Sequence, residues 1–138
     1  NSESITLRIQ GPGGSALFTG DLTVEGEKEI LATDIPLQSD IIKLGHHGSK
    51  TSSSEAFLEK VHPKIALVSA GKNNRFKHPS KEIVERLKNH HIPMLNTANV
   101  GSITFQFEKD SLFFPKGTDT NSIASTLEKP RMTHEIFK

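Results

Sequence analysis

The chain contains no cysteine, which excludes disulfides and zinc–thiolate sites. It also lacks an excess of either charge. With 17 basic and 16 acidic residues the formal net charge is +1, so no global field attracts nucleic acid, and such binding needs a local patch. No apolar run approaches the ~20 residues that span a bilayer, and no signal peptide opens the sequence, so the expectation is a soluble chain. Hydrophobic residues make up only 33% of the 138, enough for a modest core of one domain, or of part of one.

What is present is concentrated between Ile5 and Pro115. Ile5-Thr6-Leu7-Arg8-Ile9 alternates as a half-buried strand does, Gly11 to Gly14 reads as a turn, and Ala16 to Thr19 returns as the second arm of a hairpin. Glu25 to Leu31 predicts a short helix. Asp40 to Leu44, apolar on both faces, predicts an interior strand. Ser52 and Glu55 have the spacing of a capping box ahead of a helix carrying Phe57, Leu58 and Val61. Ile65 to Val68 is a strand, Pro79-Ser80 opens a helix with Ile83, Val84 and Leu87, and Met94 to Thr97 is a strand. Ser102 to Phe107 and Ser111 to Phe114 form a closing hairpin. Alternating strands and helices with short links predict an α/β domain over residues 1–115, with a mixed sheet and packed helices. Residues 116–138 are polar, lack a period, and read as a flexible tail.

Three places bear chemistry. Asp21 follows the second strand, His46 and His47 follow the third between two glycines, and His78 ends the loop after the fourth. Ligands of α/β sheets gather at the carboxyl ends of strands, so parallel neighbouring strands bring these side chains to one rim. Carboxylate with imidazole suits zinc, manganese or iron. Successive residues of a strand point to opposite faces, so one histidine is the ligand and the other orients it or meets a substrate oxygen. Both remain candidates, with His46 preferred. Plainer roles stand beside these. Asp21 can cap the next helix, His78 can be an N-cap, and His62, His90, His91 and His134 fall at helix ends or in the tail. Lys72 to Lys77 is a basic loop able to meet phosphates or simply solvated, and Ser49 to Ser54 can hold an anion or a helix cap.

Leu17-Phe18-Thr19-Gly20-Asp21, the run from Asp40 to Ser54, Ser69-Ala70-Gly71 with Asn74 and His78-Pro79, then Thr97 and Gly101-Ser102-Ile103, resemble the metallo-β-lactamase-fold domain of the ComEC competence family. The resemblance implies an αββα sandwich with two divalent metal ions, zinc or manganese. It places the bridging carboxylate on Asp21 and a ligand on His46 or His47. His78 becomes a ligand or substrate contact, with Ser49 and Asn74 beside the substrate. ComEC proteins are bacterial DNA-uptake membrane channels, so DNA becomes the implied substrate and a nuclease outside the cytoplasm the implied activity. A cytoplasmic stand-alone hydrolase of a small phosphodiester or ester, and a non-catalytic binding remnant, are the alternatives. The family's His-x-His-x-Asp-His motif does not occur here, and no histidine precedes His46. Thr97-Ala98-Asn99 stands where the family has Thr-Asp, and Phe76-Lys77 where it has Tyr-Gly. The expectation is therefore half of the sandwich, with helices on one face of a mixed sheet. The complete domain is expected to be an enzyme and this chain alone inactive, for want of the N-terminal half.

Overall fold

The computed structural model describes residues 3–108 and 111–113, with backbone only for 108 and 111–113. Strands β1 (Leu7–Gly11) and β2 (Gly14–Phe18) form an antiparallel hairpin in which Leu7 faces Phe18 and Ile9 faces Ala16. Strands β3 (Ile41–Lys43), β4 (Ile65–Val68) and β5 (Met94–Asn96) continue the sheet in the order β1-β2-β3-β4-β5, and β2 to β5 are parallel. Each parallel step is made through a helix: α1 (Val24–Leu31), α2 (Glu55–Val61) and α3 (Lys81–Asn89). A short helix α4 (Thr97–Val100) leads to an antiparallel pair, β6 (Gln106–Glu108) and β7 (Ser111–Phe113).

The two-residue period divides the core. Leu17, Ile42, Ala66 and Val68 pack with Phe57, Leu58 and Val61 of α2 and with Ile83 and Leu87 of α3. Their alternates, Ala16, Ile41, Ile65 and Leu95, lie on the other face beneath Ile103, Phe105 and Phe107. Ile41 and Ile42 are both buried, at 2% and 0% exposure, which is why this strand reads as apolar on both faces. Each such burial contributes about 1.5–3 kcal/mol. The α/β class and the mixed sheet with helices on one face therefore agree with expectation.

Four local expectations change. The third strand stops at Lys43 instead of Leu44, because the chain turns left-handed at His46 and His47. Thr97 leaves the fifth strand to begin α4, capped by Asn96, whose side chain accepts from the Ala98 N–H. Of the alternating run at 102–107, only Gln106 and Phe107 enter a strand. In the first hairpin, Leu7, Ile9 and Phe18 are 53%, 50% and 40% exposed, so the apolar side of β1 faces outward and Arg8 turns inward. The expected tail at 116–138, with His134, lies outside the described residues.

Candidate functional site

Because β2, β3, β4 and β5 are parallel neighbours, the segments after them share one edge of the sheet. The turn after β2 is tied to the one after β3. Thr19 Oγ1 donates to the Lys43 carbonyl at 2.8 Å, and the His46 N–H donates to the Gly20 carbonyl at 3.0 Å. Lys43 Nζ reaches the same Gly20 carbonyl at 3.1 Å. Burial holds the Lys43 ammonium below its ordinary pKa, and the nearby Asp21 charge opposes that shift. Asp21 does not cap α1, whose N-cap position is Thr23. Its own N–H donates to Ser4 Oγ at 2.8 Å, and its side chain projects to solvent.

His46 and His47 both adopt left-handed backbone, with φ of 47° and 58°. Two such residues in succession are strained, and the alternation rule of a strand does not apply to them. The glycines on either side have steric causes. A Cβ on Gly45 would lie 2.7 Å from the Leu22 carbonyl oxygen. Gly48, at φ +83°, would place one 2.8 Å from Pro79 Cβ.

The turn orients His47 toward Asp21. His47 Nδ1 lies 2.7 Å from the Ser69 carbonyl, which only accepts, so Nδ1 carries the proton of that bond. Nε2 then faces Asp21 Oδ1 at 3.9 Å. With Nδ1 protonated, this sets the Nε2 lone pair against a carboxylate oxygen, two donors that a cation between them could share. The His46 ring stands 6.4 Å from that of His47 and 6.1 Å from that of His78. His78 is not an N-cap; Ser80 caps α3. Its Nδ1 is buried without a hydrogen-bond partner among the described residues, and its ring stacks on Phe76 at 5.7 Å. Burial, then the neighbouring His46 and His47, lower the His78 pKa and favour its neutral form.

Asp21 and His47 could supply two donors to a divalent ion, and the Ser69 carbonyl fixes the imidazole from behind. No group of three His, Asp or Glu able to hold a metal occurs among the described residues. Ser49 and Asn74 are occupied locally. Ser49 Oγ pairs with Thr51 Oγ1 at 3.0 Å. Asn74 accepts from the His78 N–H and donates to the Gly71 and His78 carbonyls, which closes the 71–78 loop. His62, His90 and His91 lie at helix ends, as expected.

The support beneath the histidine turn differs from what the sequence spacing predicts. Ser52 is not the cap of α2; its hydroxyl contacts the Gly45 and Ser49 carbonyls at 2.8 and 2.9 Å. Ser54 is the cap, accepting from the Phe57 N–H. The anion at this helix start is internal. Glu27 of α1, 1% exposed, accepts from the N–H groups of Ser53 and Ser54. Arg86 of α3 binds the Ser52 and Ser53 carbonyls at 3.1 and 2.6 Å. Thr97 Oγ1 bonds the Ala70 N–H and carbonyl, both at 3.0 Å, next to the Ser69 carbonyl that holds His47. The only sequence signal for Glu27 was an acidic residue on a face of α1 that would otherwise pack against apolar neighbours.

A mostly parallel sheet with helices on one face, and Asp and His side chains on its carboxyl rim, defines an α/β domain whose candidate site lies at its strand ends. No protein-family profile matches the chain. It is 40% identical over 108 residues to ComE operon protein 3 of Bacillus subtilis, spanning 78% of this chain and 14% of that protein. It is 40% identical over 106 residues to Competence protein ComA of Neisseria gonorrhoeae, spanning 76% of this chain and 15% of that protein. With Recombination protein 2 of Haemophilus influenzae the identity is 37% over 112 residues, or 81% and 14% of the two chains. The chain thus matches only 14–15% of the length of these relatives, and the matches support its relation to the competence proteins.

Proposed function

We propose that this chain is the C-terminal half of a metal-dependent hydrolase domain of metallo-β-lactamase type, a phosphodiesterase acting on DNA during uptake. The observation that carries this reading is the Asp21 Oδ1 to His47 Nε2 approach of 3.9 Å, with the opposite ring nitrogen bonded to Ser69. Asp21 and His47 would hold the metal, and of the two adjacent histidines the geometry favours His47. A bound divalent ion would polarise a phosphoryl oxygen and make water a stronger nucleophile. His46 and His78 line the neighbouring rim. His78, favoured in its neutral form, can hydrogen-bond a phosphate oxygen through its other ring nitrogen. The remaining donors expected of a binuclear site are not found among the described residues. The outward apolar residues Leu7, Ile9 and Phe18 supply a face on which the other half can pack. Among the described residues no helix is long and apolar enough to cross a membrane. We place the domain outside the cytoplasm, joined to a channel portion of the same polypeptide, following the competence relation.

Calorimetric titration of the chain with Mn²⁺ or Zn²⁺ tests the pair. The wild type and H46A are expected to bind the ion, and D21A and H47A to lose it. Equal binding by all four chains overturns the metal reading. Because only two donors are in place, the 138-residue chain is expected to cleave labelled single-stranded DNA little or not at all. The absence of a three-ligand group among the described residues favours one second reading, a binding remnant without catalysis. That reading gains if metal content is indifferent to Asp21 and His47.

A further inference from the structure

Beside the Asp21–His47 pair opens a cavity of about 410 Å³, lined by His47, Ser69, Gly71, Asn74, Phe76 and His78 among others. At its mouth Phe76 is 64% exposed, the most exposed aromatic side chain among the described residues. Exposure of that extent leaves a large apolar ring in water, and no core contact of the fold requires it there. The ring is nevertheless held in place. It stacks on His78 at an interplanar angle of 16°, and the Arg75 guanidinium sits 4.6 Å over its centroid. The loop beneath is closed by the three Asn74 hydrogen bonds and carries the exposed cations Lys72, Arg75 and Lys77. A rigidly supported aromatic face amid cations, next to a candidate phosphodiester site, has the parts of a single-strand binding surface. Stacking on it tolerates any base, and the cations track the backbone.

We propose that Phe76 is the stacking platform for an unpaired base of single-stranded DNA. The base takes the place of the Arg75 guanidinium on the ring, and Arg75 turns to an adjacent phosphate. The inference rests on the phosphodiesterase reading of the neighbouring rim, to which it adds that the substrate is unpaired and is held through its base. A duplex, whose bases are stacked on one another, cannot offer a base to this ring without first opening.

Fluorescence anisotropy on the 138-residue chain compares an oligo-dT with an abasic oligonucleotide of equal length. F76A is expected to weaken oligo-dT binding about 5- to 150-fold and to leave the abasic strand unchanged, while F76W restores the affinity. R75A is expected to weaken both strands and to lower the salt slope by about one. Circular dichroism confirms that each variant is folded. If F76A affects both strands equally, or neither, while the wild type binds DNA, the platform is overturned and the phosphodiesterase reading stands. If the wild type binds neither strand, the platform is likewise overturned, while the phosphodiesterase reading is judged by the metal titration of D21A and H47A.

Discussion

At the scale of single residues, the two adjacent histidines are separated by what lies behind them. His47 has a carbonyl at one ring nitrogen and a carboxylate opposite the other, whereas His46 has two further imidazoles as ring neighbours. Nothing in the string Gly-His-His-Gly distinguishes them, because the partners come from Ser69 and Asp21, in the segments that follow β4 and β2. Glu27 is the second residue whose role is set from elsewhere. Its carboxylate is buried and accepts from two backbone N–H groups at the start of α2. E27A leaves both donors unpaired and is expected to cost about 3 kcal/mol in urea denaturation, with E27Q, which keeps one acceptor oxygen, losing about half as much. Equal losses would mean that packing rather than hydrogen bonding sets the value.

At the scale of elements, the histidine turn depends on close backbone approach at both ends. G45A drives a methyl into the Leu22 carbonyl, and G48A forces a positive φ on alanine beside Pro79. Each is expected to destabilise by about 1–3 kcal/mol and to lower metal affinity by displacing His47, read by thermal melts and calorimetry on the same samples. The start of α2 gives a sharper comparison, since sequence spacing points to Ser52 and the structure to Ser54. S54A should lose about 1 kcal/mol of stability, the usual cost of a lost cap. S52A removes a buried hydroxyl that holds two carbonyls beneath the histidine turn, so its effect should reach metal affinity as well as stability. A metal affinity unmoved by S52A would detach the site from this support.

At the scale of the whole molecule, the edge of the sheet opposite the candidate site is held by Asp40. It joins β2 to the start of β4 through Ser15 N–H at 2.8 Å and Lys64 Nζ at 2.7 Å. Burial raises the Asp40 pKa, but the Lys64 and Ser15 contacts outweigh it and hold the carboxyl below its ordinary value of 3.8. A carboxyl with a depressed folded pKa stabilises the fold fully above that ordinary value, and the contribution is lost as pH falls through the folded pKa. Denaturation midpoints should therefore fall on acidification below about pH 4, and D40N should flatten that part of the profile. An unchanged acid limb in D40N would assign it to other carboxylates. The sheet itself is asymmetric. One face is closed by three helices, while the other keeps Leu7, Ile9 and Phe18 in water.

The sequence alone determined the order of the strands and of the three crossover helices, the interior place of β3, and the three chain positions from which Asp21, His47 and His78 reach the rim. Those features rest on local periodicity and on glycine and proline punctuation, which a linear string carries in full. Only the tertiary structure decided that the histidines leave the strand in left-handed backbone, that His47 is the one aimed at Asp21, and that Glu27 and Ser54, rather than Ser52, close the start of α2. It also decided that the apolar residues of β1 face solvent. Each of these depends on a partner from a different strand or helix. Hydrogen bonding and steric fit act across space, and sequence spacing records neither.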